Sequence, residues 1–310
     1  MLRRALLLPT AIFVLAATVL SLGFSSFAQQ PAKTAVPTTT EKDGIKKITD
    51  LAYVTDGRPR QRLDLYLPAK STGVRPLVVW IHGGGWVGGT KAGVNAAPLL
   101  ASGYAVASVE YRFSQDAPYP AQIEDCKAAI RWLRAHAAEY EIDPARIGAW
   151  GASAGGHLVA LLGTTGEIHD FDKGENLDQS SAVQCVIDWF GPTDFVNWGA
   201  DRTTYDRPDS LVSKLLGGPV LEKQDLARLA SPMHFVTAKA APFLIMHGDQ
   251  DTLVPLQQSM VLNSALKKAG VASELITLKG NGHGGPLFTA PEQIVAMKAF
   301  IDKYLMPGTK

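Results

Sequence analysis

The chain has 310 residues, of which 46% are hydrophobic and 19% charged, so it is able to bury a sizeable core in one large domain or two small ones. Its 30 basic residues balance 29 acidic ones, for a net charge of +1. This balance excludes the strongly basic surface that nucleic acids or anionic membranes attract, and we expect neither as a partner.

The first 28 residues have the pattern of a secretory signal peptide. Two early arginines precede a mostly apolar, uncharged run from Ala5 to Phe24, and small residues stand at Ser26 and Ala28. We expect cleavage before Gln29, which predicts a secreted or periplasmic protein with no membrane contact after cleavage. The apolar run approaches the length of a membrane span, so a retained N-terminal anchor is the alternative.

Residues 29–45 are rich in Pro, Thr, Ala and Lys, which predicts a flexible linker before a folded domain at residues 46–310. The mostly apolar run Leu51–Thr55 is followed by a turn at residues 56–59 and then by Leu63, Leu65 and Leu67, which alternate with Asp64 and Tyr66. This pattern predicts an antiparallel hairpin. The apolar run Pro76–Ile81 is typical of a strand covered on both faces. It leads directly into His82-Gly83-Gly84-Gly85-Trp86.

Strand and helix patterns then alternate along the chain. An apolar strand covers Tyr104–Val109, an amphipathic helix begins at Pro120, and a further strand covers Arg146–Trp150. This order predicts an α/β fold with a mostly parallel central sheet, right-handed crossovers and helices on both faces.

Ser153 lies at the turn between the strand Arg146–Trp150 and the next helix, in the sequence Gly151-Ala152-Ser153-Ala154-Gly155. A serine between two glycines at such a turn is typical of a nucleophile elbow, because glycines leave room for a strained backbone. The helix that follows directs its N–H groups toward the serine, where negative charge would develop. The motif alone does not exclude an ordinary helix start in a glycine-rich chain.

The two cysteines, Cys126 and Cys185, fall in a helix pattern and a strand pattern. We expect both to be unpaired and buried as small hydrophobic residues, although an oxidising compartment would permit a bridge. A polar loop at residues 167–181 holds five acidic side chains, among them Asp170, Asp172, Glu175 and Asp178. Their spacing is not that of an EF-hand, so a solvated loop is favoured over a calcium site.

After the strand Val183–Phe190 the alternation of strands and helices lapses over residues 194–240. We interpret this segment as a small insertion over the C-terminal edge of the sheet, where open α/β sheets place their sites. Its aromatic residues, including Trp198 and Tyr205, either line a pocket or pack beneath the insertion. Two more strands, Pro242–Gly248 and Ser273–Leu278, and a final helix complete the fold.

Four motifs give the chain a family resemblance: Ile81–Trp86, the elbow, His247–Asp251 and Asn281–Gly284. With them, the chain from about Ile48 to its C-terminus resembles α/β-hydrolases of the carboxylesterase type that carry His-Gly-Gly-Gly-Trp. That group includes hormone-sensitive-lipase-like enzymes and feruloyl or acetylxylan esterases. The resemblance implies the α/β-hydrolase fold and a serine esterase that needs no metal or organic cofactor.

Ser153, Asp251 and His283 follow one another in the chain order of the catalytic triad of this fold. In that arrangement His283 takes the serine proton as general base, and Asp251 fixes the imidazole tautomer and balances the imidazolium charge. In the resembling esterases the acid stands in the pattern Asp-x-x-Val-Pro, here Asp251–Pro255. Asp249 is therefore expected to brace the turn.

The resemblance also implies an oxyanion hole formed by the N–H groups of Gly84, Gly85 and Ala154. Successive glycines allow the backbone to turn its N–H groups inward, where the carbonyl oxygen of a substrate becomes negative. His82 is expected to brace this loop and not to act as a base. A plain glycine turn between strand and helix is the alternative.

Together these features predict an ester hydrolase acting through an acyl-enzyme on short acyl or aryl-acyl esters, as small molecules or linked to polysaccharide. Two other classes stay open: a peptidase or amidase on the same fold, and a non-catalytic binding protein. The first often needs a gating domain, for which the chain has no room. The second usually lacks the serine or the histidine. The oligomeric state is not determined by the sequence.

Overall fold

The computed structural model of the protein describes residues 36–70, 73–94, 96–199 and 205–306. Within this part of the chain one sheet contains β1 (Thr38–Lys42), β2 (Ile45–Ala52), β3 (Arg62–Pro68), β4 (Arg75–Ile81), β5 (Ala105–Val109), β6 (Ile142–Ala152), β7 (Val186–Trp189), β8 (Phe243–Gly248) and β9 (Ser273–Leu278). The strand order across the sheet is β1-β2-β3-β5-β4-β6-β7-β8-β9. All pairs from β5 to β9 are parallel, and the three pairs from β1 to β5 are antiparallel.

Helices cover both faces of the sheet, as predicted. Those with described bounds are α1 (Ala97–Ala101), α2 (Ala121–Ala135), α3 (Ala154–Thr164), α4 (Leu211–Leu216), α5 (Gln224–Leu229), α6 (Gln257–Lys268) and α7 (Pro291–Leu305). Because side chains alternate along a strand, Leu77 and Val79 of β4 join the core with α2, α3 and α6, while Val78 joins the core beneath α7. The fold is the predicted α/β-hydrolase fold, with a mostly parallel sheet between two helical layers.

The prediction of a linker over residues 29–45 is wrong for its C-terminal part. Strand β1 pairs antiparallel with β2, with Thr38 opposite Thr49, and β2 begins at Ile45. All five residues of β1 are exposed, so this edge strand is held by main-chain hydrogen bonds and shows no apolar alternation in its sequence. The predicted signal peptide, residues 1–28, and linker residues 29–35 lie outside the described part of the chain.

Both cysteines are free and buried, as predicted: Cys126 and Cys185 are each 1% exposed. Burial raises the pKa of both thiols, that of Cys185 to about 12. Both therefore stay protonated and behave as small apolar side chains. Among the helices that the structure describes, none combines the length and the apolar character needed to cross a membrane.

The acidic loop at residues 167–181 is fastened to helix α2 by buried cations. The Asp172 carboxylate pairs with Lys127 at 3.3 Å and with Arg131 at 2.8 Å, and the Ser181 hydroxyl donates to it at 2.9 Å. Asp172 is thus a partly buried ion-pair residue in a loop that was predicted to be solvated. No group of three or more His, Cys, Asp or Glu side chains among the described residues is arranged to hold a metal ion.

Candidate active site

The structure brings together the three residues that the sequence singled out as a triad. Ser153 follows β6, Asp251 follows β8 and His283 follows β9, so all three lie where the carboxyl ends of parallel strands meet. The distance from His283 Nε2 to Ser153 Oγ is 2.8 Å, and that from His283 Nδ1 to Asp251 Oδ2 is 2.7 Å. Because the carboxylate only accepts, the imidazole proton lies on Nδ1 and Nε2 is left to accept from the serine hydroxyl.

Ser153 has the backbone conformation of a nucleophile elbow, with φ 56° and ψ −119°. This is a strained region for a residue with a side chain. The turn is fixed by the Ser153 N–H, which donates to the Trp189 carbonyl of β7 at 2.8 Å. A Cβ at Gly151 would collide with the Gly155 carbonyl, and one at Gly155 with the Ile81 carbonyl, so only glycine fits at either position.

The Asp251 carboxylate accepts four hydrogen bonds. Oδ1 accepts from the backbone N–H groups of Leu253 and Val254, both at 2.9 Å, and Oδ2 accepts from His283 at 2.7 Å and His247 at 3.2 Å. Burial alone would raise the pKa of Asp251, but the bonds from His247, His283 and Val254 outweigh it and hold that pKa well below its usual range. The acid is therefore ionised at neutral pH.

His247, which stands four residues before the acid, also contacts the triad. It is completely buried, and its Nε2 lies 2.8 Å from the Val254 carbonyl and 3.2 Å from Asp251 Oδ2. Both partners are acceptors, so Nε2 carries the proton and the Ser259 hydroxyl donates to Nδ1 at 2.7 Å. The only signal in the sequence is a histidine four residues before the acid, which does not by itself reveal the contact.

Asp249 braces the turn, as predicted. Its Oδ1 accepts from the N–H of Gly280 at 2.7 Å and from the Gln250 side chain at 3.3 Å. The bond from Gly280 joins the ends of β8 and β9 and so supports the loop that presents His283. The Asp249 side chain is half-buried, and its carboxylate accepts from Gly280, whereas His283 donates to Asp251.

The glycine run after β4 folds against the nucleophile. Gly84 and Gly85 have φ values of 117° and 59°, which glycine adopts without strain. A Cβ at neighbouring Gly83 would lie 3.2 Å from Ser153 Cβ, so the loop passes directly beside the elbow. Within the described residues, no acceptor is bonded to the N–H groups of Gly84, Gly85 or Ala154. These predicted donors are therefore available to a substrate oxygen.

His82 braces the glycine loop, as predicted. Its Nδ1–H donates to the Gly83 carbonyl at 2.7 Å, and its ring stacks on Tyr111 with 4.6 Å between centroids. The Tyr111 hydroxyl donates to the His82 carbonyl at 3.0 Å. Burial lowers the pKa of His82, so the ring is a neutral support.

A cleft of about 250 Å³ opens at Ser153. Its wall includes Gly85 of the glycine loop and Trp198, Tyr205 and Leu211 of the insertion. Trp198 and Tyr205 stack with 5.2 Å between ring centroids and are each only 6% exposed. Trp198 and Tyr205 therefore have both roles considered for them, because they line the cleft and are also packed within the insertion.

The chain matches the BD-FAE family model over residues 63–266. It is 31% identical over 237 residues to Esterase LipC of Mycobacterium tuberculosis, covering 73% of this chain and 57% of LipC. The chain spans about half the length of the curated relatives it matches.

Two solved structures share the fold at similar identity. A truncated carbohydrate esterase from gut microbiota is 33% identical, with a TM-score of 0.79, over 87% of this chain and 100% of that one. A bifunctional GH43-CE protein of Bacteroides eggerthii is 34% identical, with a TM-score of 0.78, over 83% of this chain and 38% of that one. Since the family match covers more than half of the residues, the chain belongs to the BD-FAE family, among the α/β-hydrolase carboxylesterases.

Proposed function

We propose that the protein is a serine carboxylic-ester hydrolase. The observation that supports this most directly is the continuous hydrogen-bond chain from Ser153 through His283 to Asp251, at 2.8 and 2.7 Å. Ser153, at one end of this chain, lines an open cleft beside the glycine loop. The esterases among the relatives and structural neighbours point to the same class of reaction.

In the first half of the proposed reaction, Ser153 Oγ attacks the ester carbonyl carbon while His283 Nε2 takes the hydroxyl proton. The carbonyl oxygen becomes negative, and the N–H groups of Gly84, Gly85 and Ala154 donate to it. The C–O bond to the alcohol then breaks, and His283 returns its proton to the leaving oxygen. The products of this half are the free alcohol and an acyl group on Ser153.

In the second half, a water molecule takes the place of the alcohol. His283 accepts a proton from that water, the resulting hydroxide adds to the acyl carbon, and the same N–H donors receive the oxyanion. The bond to Ser153 Oγ breaks, His283 reprotonates the serine and the acid leaves. Asp251 stays ionised throughout and balances the imidazolium charge in both halves.

For the substrate we propose short acyl or aryl-acyl esters, including those linked to polysaccharide. A cleft of about 250 Å³ suits a small acyl group, and one structural neighbour is described as a carbohydrate esterase. The signal-peptide pattern of residues 1–28 supports export to a place where such polymers occur. A peptidase or amidase on the same fold is the competing function.

The test compares the wild type with Ser153→Ala on p-nitrophenyl esters of increasing chain length, methyl ferulate, acetylated xylan and an aminoacyl anilide. We expect turnover of the short esters by the wild type and loss of turnover in Ser153→Ala, with an unchanged melting temperature because the change removes one oxygen. Residual hydrolysis by the variant would identify another nucleophile. Cleavage of the anilide alone would establish an amidase, and a preference rising through long-chain esters would establish a lipase.

A further inference from the structure

His157 follows the elbow glycines and is completely buried, yet the proposed reaction gives it no role. Its ring joins two distant segments. The Trp86 indole N–H donates to His157 Nδ1 at 3.1 Å, and His157 Nε2–H donates to the Ala230 carbonyl at 2.7 Å. An indole N–H only donates and a carbonyl only accepts, so these partners fix a neutral imidazole with its proton on Nε2.

Trp86 is the residue that ends the glycine run of the oxyanion loop. Its φ of 59° is left-handed, a conformation that a bulky residue adopts only when its surroundings hold it there. The side chain is 3% exposed, and its carbonyl accepts from the Ser114 N–H at 2.8 Å. The bond to His157 therefore fixes the side chain of a strained residue next to the predicted oxyanion donors.

The other partner of His157 belongs to the insertion. Ala230 directly follows α5, and Phe195 of the insertion packs edge-on against the His157 ring at 5.0 Å. Phe195 in turn stacks on Trp198 at 5.8 Å, and Trp198 stacks on Tyr205 in the wall of the cleft. One imidazole is thus hydrogen-bonded to the end of the glycine loop through Trp86 and to the insertion through Ala230.

We propose that His157 is a positioning residue for the oxyanion hole. Through Trp86 it keeps the N–H groups of Gly84 and Gly85 directed at the substrate oxygen, and through Ala230 it fastens that loop to the insertion. The inference rests on the proposed function. Placement matters because a misplacement of about 1 Å at a reacting centre costs roughly 10²-fold in rate.

Two substitutions at His157 separate its two bonds. His157→Asn places an amide oxygen near the position of Nδ1 and keeps an acceptor for Trp86, whereas His157→Gln places an amide N–H near Nε2 and keeps the donor for Ala230. Trp86→Phe removes the indole donor and keeps an aromatic ring. We expect kcat to fall about 10- to 100-fold in His157→Gln and in Trp86→Phe, with KM changed less than about threefold. His157→Asn should keep most of kcat.

Two further measurements distinguish positioning from general damage. A boronic acid that forms a tetrahedral adduct on Ser153 should lose affinity in parallel with kcat/KM in Trp86→Phe. The double variant Trp86→Phe/His157→Gln should lose no more kcat than either single variant, because both changes remove the same bond. The matched control is Trp150→Phe, since the buried Trp150 N–H has no hydrogen-bond partner among the described residues. Its kcat should equal that of the wild type.

Wild-type kcat in Trp86→Phe, or losses that multiply in the double variant, would overturn this inference while the proposed function stands. Equal kcat losses in His157→Asn and His157→Gln would also overturn it. A wild type inactive on all esters would overturn the proposed function and this inference with it. Should a His157 variant fail to fold, as melting curves would show, Trp86→Phe and the boronic acid decide the question.

Discussion

Asp251 and Asp249 stand two residues apart after β8, and their surroundings give them different chemistry. Asp251 is 9% exposed and accepts two backbone N–H groups and two imidazoles. Asp249 is half-buried and joins two strand ends through Gly280. Only the first carboxylate fixes the tautomer of His283 and stabilises its charged form.

We therefore expect Asp251→Asn to lower kcat by about 10⁴-fold, as in triads whose histidine adopts the wrong tautomer. Asp249→Asn should lower the melting temperature and leave most of kcat, because Asn keeps an acceptor oxygen for Gly280 but loses the charge. Steady-state kinetics and thermal unfolding of both variants provide the measurement. A large kcat loss in Asp249→Asn with near-normal turnover in Asp251→Asn would reverse the assignment.

At the scale of elements, the elbow between β6 and α3 packs on a buried carboxyl group of β7. Asp188 is completely buried beside Gly151 in the sheet register, and its Oδ1 accepts from the Gly191 N–H at 2.9 Å. A Cβ at Gly156 would collide with the same oxygen, and Oδ2 has no partner among the described residues. Burial raises the pKa of Asp188 to about 6, from an ordinary value of 3.8.

A raised folded-state pKa makes this group stabilising below its unfolded pKa and less so as pH rises through the folded pKa. The stabilisation from Asp188 should therefore be present near pH 4 and lost above about pH 6, a change of about 3 kcal/mol in the free energy of unfolding. Asp188→Asn mimics the protonated form. We expect its stability relative to the wild type to increase by about 3 kcal/mol between roughly pH 4 and pH 7.

Urea unfolding of both proteins at the two pH values measures this difference. Burial lowers the pKa of His157 to about 4. Its effect on the free energy of unfolding has the opposite sign, because the unfolded state binds a proton as pH falls below 6.5 and the folded state does not. His157 is present in both proteins, so its contribution cancels in the comparison. A difference between the two proteins that does not change with pH would show that Asp188 is ionised in the folded state.

Helix α4 forms part of the cleft wall. It begins at Leu211, whose side chain lies against Gly85 and lines the cleft together with Ser153. Leu211→Ala should admit longer acyl chains, and we expect kcat/KM for them to rise relative to acetyl esters by about fourfold per added methylene. The measurement is a p-nitrophenyl ester series.

The matched control is Leu215→Ala on the same helix, because Leu215 is fully buried in the core and does not line the cleft. It should lower the melting temperature without changing the ratio of rates between chain lengths. An unchanged chain-length profile in Leu211→Ala would place the acyl group elsewhere in the cleft.

At the scale of the whole molecule, residues 1–28 have the pattern of a signal peptide that precedes the folded domain. The small residues Ser26 and Ala28 predict a cleavage site before Gln29. We expect the exported protein to begin at or near Gln29, and intact-mass analysis of the secreted or periplasmic fraction measures this directly. A mass that still includes residues 1–28 would indicate a protein held at the membrane by its N-terminus.

The local features of the fold and the site were determined by the sequence itself. The elbow around Ser153, the glycine loop and the loop presenting His283 each depend on residues that are neighbours in the chain. Small residues and strand-to-helix turns favour these conformations independently of contacts with distant segments. The parallel sheet followed for a similar reason, since alternating strands and helices leave few ways to bury their apolar faces.

Only the tertiary structure decided the contacts between distant segments. The edge strand β1 has no apolar side to bury, so pairing with β2 defines it. The bond of His157 to Trp86 spans 71 positions and that to Ala230 spans 73. A buried imidazole takes whichever donor and acceptor the folded chain brings to it, and its neighbours in sequence do not specify either partner.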